Sequence, residues 1–189
     1  MLLRSVIEKL NENLTGLVDG IKTFGLAQSV IRTVGSDEEM FPGVIGKDGE
    51  IEYVGIDFDD KVRLYHRNAG ITTSRSTQQA FGDSFSDVVN TYQMAMIVAI
   101  DHKRSNLYPE DLFLLIQANI PDRVDGISDY KSVYLNTTNV IMNSQLVFAA
   151  EYAGVDIKLP AEKSLFQINY TIQSTFKKDC FKKCPEGCS

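Results

Sequence analysis

The sequence predicts an α+β fold, with one mainly antiparallel sheet and two or three helices packed on it. Three stretches carry that expectation. Residues 92–101 (YQMAMIVAID) hold an unbroken apolar run bounded by polar residues. The run is too short to span a membrane and reads as a central strand covered on both faces. Residues 108–120 (YPEDLFLLIQANI) follow a short polar turn and read as an amphipathic helix lying on that strand. Residues 165–176 (LFQINYTIQSTF) alternate from their second residue. Phe166, Ile168, Tyr170 and Ile172 point one way, and Gln167, Asn169, Thr171 and Gln173 the other, as in a half-buried strand.

Taken in order, residues 2–18 form the first predicted helix. Leu3, Val6, Ile7, Leu10, Leu14 and Leu17 make its apolar stripe, and Gly16 and Gly20 bracket its end. The stripe suits docking on the sheet or contact with another subunit. Residues 21–34 contain Phe24, Leu26, Val30, Ile31 and Val34 without helical order, so a strand or bent strand is expected. An acidic turn, residues 36–39, comes next, and then Phe41, Val44 and Ile45 around Pro42 and Gly43. Lys47, Asp48 and Gly49 signal a hairpin turn into a strand at 50–56, with Ile51, Tyr53 and Val54 as its buried candidates. Strand pattern resumes at 62–66, so an antiparallel meander is expected through this part.

Residues 68–87 (NAGITTSRSTQQAFGDSFSD) show no periodicity and are rich in Ser, Thr, Gln and Gly. A loop is expected there, either solvated or ordered by a partner. Phe81 and Phe85 favour the partner, because a solvated loop has little use for two aromatic rings. In the helix at 108–120, Pro109 sits where a missing N–H costs nothing, and Glu110 and Asp111 meet the positive end of the helix dipole. Leu107, Leu112, Leu115 and Ile116 share a face, and Pro121 ends the helix. An acidic turn at 122–129 precedes a strand at 132–142. Asn143 or Ser144 then caps a short helix reaching 152, with Leu146, Val147, Phe148 and Ala150 as apolar positions and Gly154 as its stop.

The chain has 189 residues, enough for one domain with a sizeable core, assigned to 1–177 with a Cys- and Lys-rich tail at 178–189. A formal charge of −6 argues against broad nucleic-acid binding, which needs a basic face. Lys177, Lys178, Lys182 and Lys183 form the best local basic patch. The N-terminus carries charges inside its apolar pattern and lacks the continuous run of a signal peptide, and no stretch is suited to crossing a bilayer, so the chain is expected to stay in the cytosol of the cell that makes it.

Candidate chemistry is sparse. Cys180, Cys184 and Cys188 have C-x3-C-x3-C spacing, but a closed zinc site needs a fourth ligand and both histidines lie far away in sequence. A flexible tail with reduced thiols is the preferred reading, and no metal or other cofactor is expected. His66 and His102 each sit beside a basic residue at the end of a predicted strand and are expected at the surface near turns. Asp101 is a tempting partner for His102, but adjacent strand residues point to opposite faces. The acidic clusters at 37–39 and 57–60 resemble calcium loops only superficially, the second lacking the glycine and distal glutamate of such a loop, and both read as solvated turns.

The segments EIEYVGIDFDDKVRLYHR, YQMAMIVAIDHKRSNLYPEDLFLLIQANIP and VFAAEYAGVDIKLPAEKSLFQINYTI, in this order of elements, resemble a virion protein of a tailed bacteriophage. The chain is similar to neck proteins of the tail-terminator or tail-completion kind, especially those of crAss-like phages of Bacteroides. The resemblance is one of layout and spans most of the chain. It implies a tail-terminator-like subunit of a ring, six or twelve copies around, between portal and tail, touching the portal or adjacent neck and tail proteins. DNA would pass through the lumen without specific binding, eased by acidic walls. The protein would be made in the host cytoplasm and reside in the virion neck. Residues 68–87 and 177–189 would be arms ordered on assembly, with Arg67, Arg75, Phe81, Phe85 and Phe181 as subunit contacts. The resemblance implies no catalytic residues. The competing expectation is a small intracellular enzyme with a site around Asp101, His102, Lys103 and Arg104.

Overall fold

The computed structural model describes residues 2–34, 37–46, 48–56, 58–80 and 83–177, with the backbone alone at 34, 76–80, 83–86 and 177. The elements run α1 (Leu2–Leu14), β1 (Ile21–Val34), β2 (Asp37–Ile45), β3 (Ile51–Tyr53), β4 (Val62–Ala80), β5 (Asp83–Asp101), α2 (Pro109–Asn119), β6 (Ser132–Ile141), α3 (Ser144–Glu151) and β7 (Lys163–Lys177). The strands form a sheet in the order β3-β2-β1-β4-β5-β7-β6. Every pairing is antiparallel except β1 with β4. The α+β class expected from the sequence is therefore the class observed. Among the described residues no helix is long and apolar enough to cross a membrane.

The core follows from the alternation of β5. Met94, Met96, Val98 and Ile100 face α1 and α2, where they meet Phe166, Ile168 and Tyr170 of β7 and Val6, Ile7, Leu10, Leu112 and Ile116 of the helices. Ala95, Ile97 and Ala99 face the other way, onto Phe24, Val54, Phe58, Tyr65 and Val147 of α3. Both faces of the run are thus dry, as its lack of polar residues requires.

Several expectations are corrected. The meander holds for β1, β2 and β3 but stops there. β4 crosses to the far side of β1 and pairs with it in parallel, with Ile21 opposite Val62 and Thr23 opposite Leu64. The intervening segment buries Val54 and Phe58, so it passes over apolar surface rather than making a polar turn. The strand at 50–56 shrinks to β3, where Ile51 and Tyr53 are 42% and 37% exposed and only Val54, just beyond it, is buried. The acidic residues Asp37, Glu38 and Glu39 open β2 opposite Val34, Thr33 and Arg32 instead of forming a turn. Asp59 and Asp60 of the second acidic cluster pair with Arg104 and Arg63.

The largest correction concerns 68–87. Apart from residues 81 and 82, which lie outside the described residues, this stretch is strand, and β4 stays paired with β5 from Val62 opposite Ile100 to Ala80 opposite Asp83. Residues 71–75 of β4 are exposed, so no apolar alternation is imposed on them and the period-2 signal vanishes. The backbone hydrogen bonds and the Thr-rich composition suffice for extended structure.

Helix ends follow local rules. α1 stops at Leu14, short of the expected 18, and Gly16 follows at φ 93°, a left-handed conformation that favours glycine. Asn143 caps α3 by accepting from the Leu146 N–H at 3.0 Å, and Gly154 ends that region at φ 84°. On α2, Leu112 and Ile116 are buried as expected, whereas Leu115 is 37% exposed and Phe113 packs on the core in its place. Leu146 of α3 is likewise exposed.

Because Ile97 is fully buried at the centre of the sheet, Ile97→Ala is expected to cost about 2–5 kcal/mol of stability by the combined loss of burial and opening of a cavity. Urea denaturation with an unchanged slope would measure it.

Candidate functional site

Three consecutive residues of β4 anchor the polar chemistry of the interior. Tyr65 and Arg67 project to the α3 side and His66 to the α1 side, as strand alternation requires. On the α3 side the Glu151 Oε2 atom accepts from Tyr65 OH at 2.8 Å and from Arg67 Nε and Nη2 at 3.0 and 2.9 Å. The pair is largely shielded, with side-chain exposures of 18% for Arg67 and 10% for Glu151. Arg67 Nη1 also donates to Ser29 Oγ of β1 at 3.3 Å. Burial, reinforced by the Glu151 charge, holds the Tyr65 hydroxyl well above the ordinary range, so it stays protonated and donates.

On the α1 side His66 is fully buried, which corrects the expectation of a surface histidine. Its Nδ1 lies 2.8 Å from Tyr170 OH and its Nε2 lies 2.9 Å from Asn11 Oδ1. Asn11 Nδ2 donates to the Phe24 carbonyl at 2.8 Å. That bond leaves Oδ1 as the acceptor, so His66 Nε2 carries the proton and Nδ1 accepts from Tyr170. Desolvation lowers the His66 pKa to about 3, and the ring is neutral at physiological pH. No sequence signal separated His66 from His102. Both are in phase with buried residues, His66 with Val62 and Leu64 and His102 with Val98 and Ile100, but His66 falls inside β4 whereas His102 lies just past the end of β5.

At the opposite end of the sheet, His102 is exposed and its Nε2 lies 2.8 Å from Ser164 Oγ on β7. Ser164 was not singled out from the sequence, since only the pairing of β5 with β7 brings it to His102. Asp101 is buried and accepts from the Lys103 N–H at 2.9 Å, with Arg104 Nε at 3.7 Å. Among the described residues no hydrogen bond joins Asp101 to His102. Lys103 reaches Glu162 at 2.7 Å and Arg104 reaches Asp59 at 2.6 Å. A serine next to a histidine has the partners for proton transfer, but this imidazole is exposed and, among the described residues, has no orienting carboxylate.

The proposed contact residues are distributed unevenly. Arg67 is committed to Glu151 within the chain. Arg75 is exposed on β4 opposite Val88. Phe85 lies on β5 opposite Gln78, with its side chain outside the described residues. Phe81, Phe181, the three cysteines, Lys178, Lys182 and Lys183 also lie outside them. The chain matches no protein-family model and no curated protein.

Two further surface features are set by the departure of β1. The last pair of β1 with β4 is Leu26 opposite His66, after a register shift at 23–26, and beyond it β1 continues with β2 alone. Among the described residues β4 therefore has an open edge from Arg67 onward. An open groove of about 810 Å³ lies beside the same point, lined by Leu3, Ile7, Leu26, Val44, Tyr92 and Tyr130, among others, with Arg4 and Glu8 contributing charge.

The His66 geometry sets an acid limit. The unfolded chain binds a proton near pH 6.5 and the folded chain only near 3, so the unfolded state holds more protons between those values and stability falls with decreasing pH. The expected loss from this group is up to about 1.4 kcal/mol per pH unit below 6.5. It should be absent in the pH profile of His66→Gln, measured by chemical denaturation.

Proposed function

We propose that this chain is a structural subunit of the neck of a tailed bacteriophage, of the tail-terminator or tail-completion kind found in crAss-like phages of Bacteroides. It assembles with its own copies into a ring of six or twelve, joins head to tail beside the portal or adjacent neck and tail proteins, and extends the DNA channel.

The observation that carries this reading is the β4–β5 hairpin. Among the described residues β4 lacks a β1 neighbour beyond His66 while it stays paired with β5 on its other side. A long open edge is a liability for a chain that acts alone and an asset for one that pairs with neighbours. The net charge of −6 fits a channel past which DNA slides without sticking. Expected outcomes are ring-shaped class averages from the purified chain, alone or with its neck neighbour, and its presence in virions by mass spectrometry. A chain that stays monomeric under all these conditions and is absent from virions would overturn the proposal.

The competing reading, a small intracellular enzyme, draws on the contact of Ser164 with His102. It expects a hydrolytic activity that Ser164→Ala abolishes with stability unchanged within about 0.5 kcal/mol. Retained activity would remove Ser164 from that role.

A further inference from the structure

On its α3 side the sheet carries a flat, charge-free face beyond the Arg67–Glu151 pair. Residues paired across strands point to the same side, so β4, β5, β7 and β6 lay three rows of four residues there. One row runs from Gly70 through Gln93 and Thr171 to Asn136, and the next from Thr72 through Thr91 and Gln173 to Tyr134. The third continues through Val89 and Thr175. All of these residues are exposed or half-exposed. The rows cover about 14 Å across the strands and about 14 Å along them.

Charged residues make up 23% of the chain, so about three of the positions in such a patch would ordinarily carry a charge. None does. The charges at its rim are closed in pairs: Arg67 with Glu151 at 2.9 Å, Arg123 with Asp125 at 2.7 Å and Lys131 with Asp87 at 2.6 Å. Among the described residues the side-chain amides of Gln93, Asn136 and Gln173 make no hydrogen bond. Tyr134 shows 43% of its surface beside them.

This chemistry selects its partner. A nucleic acid requires cations on the face it meets, and a second sheet packing face to face requires apolar side chains there. Free amides and hydroxyls instead offer both donors and acceptors, which suits a ligand dense in neutral hydroxyl groups. Gln93 and Gln173 are diagonal neighbours about 7–8 Å apart, close enough for both amides to reach one sugar ring. An exposed phenol ring supplies the apolar surface on which the C–H face of a sugar stacks. We propose that this face binds a neutral glycan, with Gln93, Gln173 and Asn136 pairing to its hydroxyls and Tyr134 stacking under one of its rings. The four strands hold these groups in place beforehand, so little ordering is lost on binding. Glycan binding is independent of ring assembly, because it uses the face of the sheet rather than its edge.

The test is affinity electrophoresis of the full chain through gels containing a soluble α-glucan, β-glucan, mannan or galactan, with dextran sulfate as the anionic control. At least one neutral polymer is expected to retard the chain, and short fragments of that polymer to shift the backbone amide resonances of residues 91–93, 134–136 and 171–173. Gln93→Ala with Gln173→Ala, and separately Tyr134→Ala, are expected to weaken binding by about tenfold or more, and Tyr134→Phe to stay within about threefold of the parent. Because these side chains are exposed, the melting midpoint is expected to move by no more than about 4 °C. Retardation by none of the neutral polymers, retardation by dextran sulfate alone, or binding unmoved by the variants would overturn the proposal. Self-association lost in the same variants while no neutral polymer binds would assign the face to a second copy instead.

Discussion

The dryness of β5 on both faces is the constraint from which the rest of the structure follows. No side chain among residues 94–100 carries a charge, a hydroxyl or an amide, and none of these residues exceeds 7% exposure. Two layers must therefore cover the strand, and two strands must satisfy its backbone on either side. β7 arrives by hairpin-like antiparallel pairing with the alternating sequence that the α1 and α2 layer needs. β4 must flank the other side, and it reaches that place only by leaving β3 and crossing over, which makes its contact with β1 parallel. The local logic of short turns yields here to the demand of one buried strand.

The polar interior bonds gather where that arrangement is weakest. β1 leaves β4 at Leu26 and His66, and a strand that loses a neighbour also loses a ladder of hydrogen bonds. At that level Tyr65 and Arg67 bind Glu151 of α3, while His66 binds Asn11 of α1 and Tyr170 of β7. Each helix layer is thus fastened to β4 by directional bonds in addition to apolar packing. Shielded ion pairs and buried imidazoles contribute less net stability than they do specificity, since their desolvation offsets much of the attraction. Their service here is geometric, because they fix how far β1 diverges from β4 and hence the shape of the groove beside them.

Among the described residues that divergence leaves two unlike surfaces, an edge of β4 without a β1 neighbour beyond His66 and a recess lined with apolar and aromatic groups. The titratable groups at the other end of the sheet are mostly engaged in pairs, Lys103 with Glu162 and Arg104 with Asp59, in contact with solvent. Exposed pairs of this kind contribute little to stability.

Strong periodicity and strong punctuation were legible from the sequence alone. The apolar run of β5, the strict alternation of β7, the proline start of α2, a cap of α3 at Asn143 or Ser144 and the α+β class all follow from the chain's own pattern, because each is a response to local geometry or to burial on a known face. Tertiary structure alone decided the rest. Residues 71–75 of β4 are exposed, so no core imposes a pattern on them and they are held by pairing with β5 rather than by sequence period. The parallel contact of β1 with β4, the burial of His66 and the meeting of Ser164 with His102 depend on which strands become neighbours, and neighbours are chosen by the packing of the whole sheet.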